Sequence, residues 1–380
     1  MQLQKLREDI DRIDKELVRL FAERMEVAAG VAKYKKEVGK PITDAGRERQ
    51  KLAELAKMAP EEHVAATEAL YSMIFELSRA YQRKLISGEN EMKHKVQKAM
   101  EETSKLFPER AIVACQGVEG AYSQQACEKL ISHPNIMYFN SFDGVFSAIE
   151  SGLCQYGVLP LENSTAGSVN KIYDLMMKYD FSIVKSTRLK VDHSLLANRG
   201  AKLSDIKEVY SHEQALAQCE GFLKGLGGVK VIPCENTAMA AQKVHDSGRQ
   251  DVAAISSRSC AELYGLSCIC ENIQDSGSNF TRFICISKKL EIYPGADKTS
   301  IMMVLRNRPG ALYKVLSRFF ALGINLIKLE SRPLPNSDFE FMFYFDLEAS
   351  VYSDKFLAMF DEVEEMCSTF RYLGSYTEAV

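Results

Sequence analysis

Apolar side chains recur every three or four positions at the start of the chain. The series is Leu3, Leu6, Ile10, Ile13, Leu17 and Leu20. This spacing places the series on one stripe of a single long helix. Gly39 and Pro41 would end that helix near Val38.

Two shorter helices are predicted to follow the long one. Thr43 or Asp44 would cap a helix over about 44–58, and a third helix would run from Glu61 to Ile86. The helical segment, residues 1–88, is too short to bury its long first helix against the two shorter helices alone. We therefore expect the segment to pair with a second copy of the chain.

The hydrophobic pattern changes at Ala111. From there to Lys289, short apolar runs alternate with helical stretches, which predicts an α/β domain with a mainly parallel sheet. Residues 89–109 lie between the two patterns and are charged and poor in large apolar side chains. We interpret them as a partly helical linker.

The last part of the chain forms a third unit. A strand (SIMMVL), a helix from Pro309, two strands, a helix near 353–367 and a final strand (FRYLGSY) follow one another. This order, βαββαβ, is typical of a ferredoxin-like domain. The predicted domains are therefore 1–88, 110–290 and 298–380.

Composition restricts the class of protein. Hydrophobic residues make up 46% and charged residues 26%, as in globular proteins, and the net charge of -3 does not favour nucleic-acid binding. No secretory signal or membrane-spanning run is visible, so we expect a cytoplasmic protein that does not bind membranes. The ten cysteines lack a metal-binding spacing, which predicts reduced thiols and no metal site.

The helical segment carries candidate ligand-binding cations. Arg7 and Arg24 are about 25 Å apart along one helix, so a small ligand could contact both only if they come from different chains. Arg24 and Lys35 are about 16 Å apart and could hold a small dianion between them. Further polar groups share helix faces: Asp44, Arg47 and Glu48, and then Ser78 and Gln82. The alternative interpretation is that all of these are solvated surface side chains.

This set of residues resembles the motif of the all-helical chorismate mutase family over residues 1–87. The matching positions are Leu6-Arg7, Ile10-Asp11, Arg24, Lys35, Asp44 and Arg47-Glu48. The resemblance implies a cofactor-free rearrangement of chorismate to prephenate, which requires a held conformer and stabilisation of developing charge. It assigns Arg24, Ser78 and a second copy's Arg7 to the carboxylates, Glu48 and Asp44 to the ring hydroxyl, Lys35 and Gln82 to the ether oxygen, and Arg47 to bracing Glu48.

In the α/β segment, polar side chains cluster where predicted strands end, which is where open α/β sheets bind ligands. The clusters are Pro160 to Ser164, Ser211 to Gln214 with Gln218, Glu235 to Thr237, and Thr281 to Phe283. No dinucleotide or phosphate-loop motif occurs, so a nicotinamide or nucleotide enzyme is not supported. From the residues alone, His193 and His212 could be bases or structural groups.

Five motifs in this segment resemble the prephenate dehydratase family. They are Gly117-Gly120-Tyr122-Ser123, Pro160 to Val169, Asp192 to Leu196, Ser211 to Cys219 and Asn279 to Phe283. The resemblance implies two α/β lobes like those of type II periplasmic binding proteins, with the site between them. It also implies cofactor-free loss of CO2 and hydroxide from prephenate, giving phenylpyruvate. Cys115-Gln116 departs from the family pattern, and we expect it to alter local packing.

The same resemblance assigns roles to individual side chains. Thr281 would donate a proton or hydrogen bond to the leaving hydroxyl, a contribution typically worth about 10²–10⁴-fold. Asn163 and Gln218 would hold that hydroxyl, and Arg282 would form a structural ion pair. The remaining candidates are Thr165, Ser211 and Gln214 for carboxylates, Ser164 for substrate contact, and Glu162 and Glu235 as proton sources or organisers.

The segments Arg308 to Leu312 and Leu329 to Pro333 resemble the amino-acid-binding regulatory (ACT) domain attached to prephenate dehydratases. The resemblance implies inhibition by L-phenylalanine bound between paired chains. The residues it assigns to phenylalanine are Pro309, Gly310, Ala311, Leu312, Glu330, Ser331 and Arg332. A dimerisation domain without a ligand is the alternative.

Two other functions stay open at this point. Arogenate, with an amino group in place of the keto group, could be the dehydratase substrate, and the second segment could be a non-catalytic binding protein. The intact Thr281 and Asn163 motifs argue against a binding protein. The expected partners are chorismate, prephenate, L-phenylalanine and further copies of the chain, in a dimer or tetramer.

Overall fold

The computed structural model describes residues 3–86, 90–305, 307–334, 340–363 and 366–379. They form two compact units. The first comprises Met1–Lys95, Arg308–Gly323 and Asp354–Ser368, and the second comprises Val96–Asn307, Ile324–Ser353 and Thr369–Val380. The predicted boundary between residues 88 and 89 lies outside the described residues. No helix in the described part of the chain combines the length and the apolar character that a membrane span requires.

The N-terminal segment is helical, as predicted. Its helices are α1 (Leu3–Glu37), α2 (Ala45–Met58), α3 (Val64–Ile86) and α4 (Glu91–Glu102). Asp44 caps α2 because its Oδ1 accepts a 3.0 Å hydrogen bond from the Arg47 backbone N–H. The predicted apolar stripe from Leu3 to Leu20 is exposed in the single chain, and the buried residues of α1 are Ala28 and Ala32.

The α/β part of the second unit begins with one lobe. Its elements are β1 (Arg110–Gln116), α5 (Tyr122–Leu130), β2 (His133–Phe139), α6 (Phe142–Glu150), β3 (Tyr156–Asn163), β4 (Gly167–Ser168), α7 (Asn170–Lys178) and β5 (Ser182–Lys190). The chain then crosses to a second lobe and returns later to add one more strand to this sheet. The sheet's apolar faces are covered by buried side chains of α5, α6 and α7.

The second lobe has its own five-stranded sheet. Its elements are β6 (Ser194–Ala197), β7 (Glu208–Ser211), α8 (Glu213–Gln218), α9 (Glu220–Gly225), β8 (Lys230–Pro233), α10 (Thr237–Ser247), β9 (Val252–Ser256), α11 (Ser259–Leu263) and β10 (Ser267–Cys270). The strand order is β10-β6-β9-β7-β8. The strand β11 (Phe280–Ser287) then returns to the first lobe between β5 and β3. The two lobes predicted from the sequence are therefore present.

The predicted mainly parallel sheet was wrong, because both sheets are mixed. In the first lobe, β1 pairs in parallel with β2 and β3, but β11 pairs antiparallel with β3 and β5. In the second lobe, β7 pairs in parallel with β8 and β9, whereas β6 pairs antiparallel with β9 and β10. The strands that follow the two crossings between lobes are β6 and β11. Among the described residues, no helix precedes either strand after its crossing to return the chain to the starting edge of the sheet, and so both run antiparallel to their neighbours.

The C-terminal part follows the predicted βαββαβ order. Its elements are β12 (Lys298–Leu305), α12 (Ala311–Leu322), β13 (Asn325–Pro333), β14 (Phe341–Glu348), α13 (Asp354–Val363) and β15 (Thr369–Tyr376). The four strands form an antiparallel sheet in the order β13-β14-β12-β15. A short last strand, β16 (Glu378–Ala379), was not predicted and joins the first-lobe sheet beside β5.

Candidate active sites

A cationic cavity of about 290 Å³ lies among α1, α2 and α3. Seven predicted residues line it: Arg24, Lys35, Asp44, Arg47, Glu48, Ser78 and Gln82. Five of its lining side chains are cationic and two are acidic, because Lys51 and Arg79 also contribute. The excess of positive charge suits a small dianion. Arg7 is exposed and does not line this cavity, so a single chain does not bring it to the other seven.

Two buried atoms at this cavity have open hydrogen-bonding capacity. Within the described residues, neither Arg24 Nη1 nor Gln82 Oε1 has a hydrogen-bond partner. The Arg24 guanidinium stacks over the Phe75 ring at 5.5 Å, and Gln82 Nε2 donates to Ser78 Oγ at 3.3 Å. Both side chains are thus held in place with polar groups unused, which is the arrangement expected of a ligand site.

Sequence reasoning missed Arg79, which is central to this cavity. Its guanidinium pairs with both Glu48 and Glu76. Burial alone would lower the pKa of Arg79, but the hydrogen bonds and charges of the two carboxylates outweigh it, and the pKa is raised. Arg79 thus occupies the bracing position on Glu48 that was expected of Arg47. The i,i+3 spacing of Glu76 and Arg79 is the signal that could have revealed the pair.

A second cavity, of about 410 Å³, lies between the two α/β lobes. Of the predicted residues, Asn163, Gln214, Gln218, Glu235 and Thr281 line it, as do His193 and His212. Among its described lining residues there is no Lys or Arg. The N-terminal ends of α5 and α10 contribute Tyr122, Ser123 and Thr237. Helix N-termini offer backbone N–H groups and positive dipole ends, so they can hold carboxylates without a cationic side chain.

The polar side chains of this cavity form a closed ring of hydrogen bonds. Asn163 Nδ2 donates to Asn279 Oδ1 (2.7 Å), and Asn279 Nδ2 donates to Gln218 Oε1 (3.0 Å). Gln218 Nε2 donates to Thr165 Oγ1 (2.8 Å), and Thr165 Oγ1 donates to Asn163 Oδ1 (2.7 Å). The ring fixes the orientation of all three amides. No role was predicted for Asn279, although it lies in the Asn279 to Phe283 motif.

Thr281 and His193 lie beside the ring. Asn163 Nδ2 also donates to Thr281 Oγ1 at 2.9 Å, so the Thr281 hydroxyl proton is not used in that bond. His193 Nε2 is 2.9 Å from Gln218 Oε1, an acceptor, which places the proton on Nε2. Burial lowers the pKa of His193. This imidazole is therefore neutral at pH 7.

Four of the predicted dehydratase residues do not line the cavity: Glu162, Ser164, Thr165 and Ser211. Within the described part of the chain, two of these, Ser164 and Ser211, form no hydrogen bond with the polar side chains of the cavity. Ser211 Oγ donates to the backbone oxygen of Ile255, and Ser164 Oγ donates to that of Ser278. Both hydroxyls serve the backbone, so neither is the substrate contact that was expected. Thr165 also lies off the lining but takes part in the ring described above.

Glu162 is the fourth residue, and its carboxylate pairs with Lys328 and Arg282. Burial would raise the pKa of Glu162, but the hydrogen bonds and charges of these cations outweigh it and the pKa is lowered. An ionised, paired carboxylate is not a proton source, so of the two expected roles for Glu162 only that of organiser fits these ion pairs. Arg282, which was expected to form a structural ion pair, also pairs with the buried Asp346.

The residues predicted to bind phenylalanine have different surroundings in the structure. Gly310 has φ +78° with open space around its Cα, so the backbone conformation, and not crowding, requires glycine there. On β13, Glu330 accepts a hydrogen bond from Ser168, and Arg332 pairs with Asp174 at 3.0 Å. Ser331 lies on the opposite, exposed face of the strand. Glu330 and Arg332 are therefore engaged by the first lobe.

Comparison with known proteins identifies the families of the helical segment and of the α/β segment. Residues 6–83 match the model of the chorismate mutase type II family, and residues 113–291 match that of prephenate dehydratase. The bifunctional chorismate mutase/prephenate dehydratase of Aquifex aeolicus is 32% identical over 382 residues, covering 100% of this chain and 99% of the relative. The chain belongs to the bifunctional chorismate mutase/prephenate dehydratase family. It is thus an enzyme of phenylalanine biosynthesis with both activities.

Two further similarities concern the dehydratase part of this bifunctional enzyme. Arogenate dehydratase/prephenate dehydratase 2 of Arabidopsis thaliana is 40% identical over 279 residues, covering 70% of this chain and 73% of the relative. The crystal structure of prephenate dehydratase from Arthrobacter aurescens in complex with L-Phe is 26% identical, with a TM-score of 0.65, covering 70% of this chain and 90% of that one. The dehydratase fold expected from the sequence is therefore confirmed.

Proposed function

We propose that the cationic cavity carries out the mutase reaction and the cavity between the lobes carries out the dehydratase reaction. The observation that carries this assignment is the contrast in charge between the two. The rearrangement of chorismate develops negative charge on the ether oxygen, which cationic and amide donors stabilise. Departure of hydroxide as water needs a proton and a positioned donor, and the amide of Asn163 holds the Thr281 hydroxyl as that donor.

In the mutase cavity, Arg24 binds a carboxylate of chorismate through its unused Nη1, with Ser78 as a further donor. Lys35 and Gln82 donate to the ether oxygen as its bond to carbon breaks. The Ser78 hydroxyl can donate as well as accept, so rotating the Gln82 amide by 180° keeps their bond and turns Nε2 towards the ligand. Glu48, with Asp44 beside it, accepts from the ring hydroxyl.

The mutase part works as a pair of copies, with Arg7 supplied by the second one. The exposed stripe of Leu3, Ile10, Ile13 and Leu17 on α1 needs an apolar partner, and a second α1 provides one.

Hybrid pairs of Arg7→Ala and Arg24→Ala chains test whether the site is shared. Each variant alone should be nearly inactive as a mutase. Mixed refolding should restore about a quarter of wild-type activity, because about half of the pairs are hybrids and each hybrid has one intact site out of two. Absence of recovery would exclude a shared site.

In the dehydratase cavity, the carboxylates of prephenate bind at the N-terminal ends of α5 and α10. The ring carboxylate leaves as CO2, and its bonding electrons enter the ring as the C4–O bond breaks. Thr281 donates to the departing hydroxyl, which leaves as water once protonated, and Asn163 holds Thr281 in position. Glu235, an acidic side chain among the described residues that line this cavity, supplies or relays the proton.

L-Phenylalanine inhibits the enzyme by binding to the C-terminal part. Besides the ligand in the relative's crystal structure, the support is a set of contacts from its sheet. Asp346 on β14 pairs with Arg282, which is next to Thr281, and Lys328 on β13 pairs with Glu162, which is next to Asn163. A ligand that moved this sheet would disturb both neighbours of the Asn163–Thr281 bond.

One experiment tests the function as a whole. The purified chain is given chorismate, prephenate or arogenate, and phenylpyruvate or phenylalanine formation is followed with and without added L-phenylalanine. We expect chorismate and prephenate to yield phenylpyruvate, with a lower rate when L-phenylalanine is present. A higher kcat/KM for arogenate than for prephenate would overturn the substrate assignment, and an unchanged rate with L-phenylalanine would overturn the regulatory one.

A further inference from the structure

The helix α12 contacts α3 of the mutase segment through two cations directed at one residue. Lys314 Nζ lies 2.6 Å from Glu76 Oε1. Arg318 Nη2 donates to the backbone oxygen of the same Glu76 at 2.8 Å. Both the carboxylate and the backbone of Glu76 are therefore held by a helix that follows the dehydratase in the sequence.

Glu76 in turn belongs to a chain of ion pairs that ends in the mutase cavity. Arg79 contacts the Glu76 carboxylate on one side and the Glu48 carboxylate on the other. The side chains of Arg79 and Glu76 are 9% and 12% exposed, so water screens these pairs weakly. The chain from Lys314 through Glu76 and Arg79 to Glu48 contains two positive and two negative charges, which balance.

A third cavity, of about 330 Å³, separates α12 from the mutase cavity. Glu48, Phe75 and Arg79 line both cavities. On the far side, Tyr313, Lys314 and Ser317 of α12 line the third cavity. The wall that carries Glu48 and Arg79 is therefore not packed solidly against α12. Among the described residues, the Lys314–Glu76 ion pair and the Arg318 hydrogen bond to the Glu76 backbone connect α12 to this wall.

We propose that Arg79 is a positioning residue for Glu48 in the mutase reaction, and that Lys314 controls how firmly Arg79 holds Glu48. While Lys314 neutralises part of the Glu76 charge, Arg79 is shared between Glu76 and Glu48. Among the described residues, Lys314 and Arg79 are the cations that pair with the Glu76 carboxylate, so without Lys314 this carboxylate draws the Arg79 guanidinium away from Glu48. The rate of the mutase then depends on the position of α12. This proposal rests on the proposed role of Glu48 at the ring hydroxyl, and not on binding of phenylalanine.

The test is a double-mutant cycle in the full-length chain with Lys314→Ala, Glu76→Gln and the double variant. We expect Lys314→Ala to lower mutase kcat about three- to tenfold with little change in KM, and Lys314→Arg to restore it. The double variant should be no slower than Glu76→Gln alone, because both changes act through the same link. Dehydratase activity with prephenate, which should stay at the wild-type value, reports that each variant is folded.

The matched control is Lys288→Ala. Lys288 is similarly exposed and pairs with Glu150 at 3.1 Å, but it lies outside this chain of ion pairs. Its removal should leave the mutase kcat unchanged. Should Lys314→Ala fail to fold, Lys314→Met keeps the aliphatic part of the side chain and is measured in its place.

Wild-type mutase kcat in the folded Lys314 variant, or fully additive losses in the cycle, would overturn the proposal. Lys35→Ala separates this outcome from failure of the proposed function. If Lys35→Ala abolishes mutase activity while the Lys314 variant has none of the expected loss, the cavity assignment stands and the link to α12 is wrong. If Lys35→Ala is also without effect, the cavity assignment itself has failed.

Discussion

Asn163 and Thr281 are 118 residues apart in the sequence, yet Asn163 Nδ2 donates a 2.9 Å hydrogen bond to Thr281 Oγ1. The register of β3 and β11 pairs these two residues directly. Because Asn163 Oδ1 accepts from the backbone N–H groups of Thr165 and Ala166, its amide cannot rotate without leaving both donors unpaired. The Thr281 oxygen is therefore an acceptor towards Asn163, and its proton is available to a ligand.

The first prediction follows from the fact that Asn163 donates to Thr281 and leaves the Thr281 proton available. Thr281→Val removes the hydroxyl but keeps the branched shape, and dehydratase kcat should fall about 10²–10⁴-fold, the usual contribution of a positioned acid. Thr281→Ser keeps the hydroxyl and should retain most of the activity. Mutase kcat with chorismate is the internal control and should match that of the wild type in both variants. Equal losses in the two activities would show that the substitution had damaged the fold instead.

A second prediction concerns the ether-oxygen donors of the mutase. Lys35→Ala and Gln82→Ala should each lower mutase kcat about 10²–10³-fold, because a donor to developing charge acts mainly in the transition state. KM should change little, and prephenate turnover should be unaffected. Lys36→Ala is the control, because Lys36 is an exposed lysine beside Lys35 that does not line the cavity. A raised KM with normal kcat would mean that these side chains bind chorismate and its transition state equally.

Much of this arrangement could be predicted from the sequence, for reasons that particular residues make clear. Gly39, Pro41 and Pro60 interrupt the period of the apolar residues, which marks the end of α1 and both ends of α2. The third helix was predicted from Glu61, whereas Glu61–His63 form a short 3-10 helix and α3 begins at Val64. The spacing of four residues on one helix likewise placed Ser78 and Gln82 together. Local rules were enough in both cases.

Contacts between distant segments were beyond those rules. Glu162 looked like a site residue because it precedes Asn163, but successive residues of a strand point to opposite faces. Its partner Lys328 is 166 positions away, and no local pattern relates the two.

A third prediction tests the buried ion pair between Arg282 and Asp346, whose side chains are 5% and 1% exposed. Asp346→Asn leaves the Arg282 charge without its closest partner, and breaking such a pair typically costs about 3–5 kcal/mol. The midpoint of urea unfolding, followed by tyrosine fluorescence, should fall accordingly. Asp180→Asn is a control, because Asp180 pairs with Arg371 at an exposed position. A similar change in both variants would show that burial of Asp346 has no special effect.

The fourth prediction concerns Gly374 on β15, where the backbone approaches β5. A Cβ added there would lie 2.3 Å from the backbone oxygen of Ile183, and the residue has φ +129°. Gly374→Ala should therefore destabilise the fold by more than the strain of about 1–3 kcal/mol that an unfavourable φ alone would cause. Gly228→Ala is the control for a positive φ without crowding, because Gly228 has φ +98° and open space around it. Equal thermal midpoints for the two variants would contradict the close approach.

The last prediction is a dependence of stability on pH that arises from His193. Burial lowers the pKa of His193 in the folded state, and Nδ1, where a second proton would bind, has no hydrogen-bond partner among the described residues. The unfolded chain takes up that proton below about pH 6.5, so the stabilisation from keeping His193 neutral is complete above this pH and is lost as the pH falls.

The midpoint of urea unfolding, measured from pH 8 down to pH 5, should therefore decrease for the wild type. His193→Gln, which keeps a donor for Gln218 but cannot titrate, should flatten part of this decrease, whereas His63→Gln, an exposed control, should not. Parallel curves for wild type and His193→Gln would show that the imidazole is protonated as readily in the folded chain as in the unfolded one.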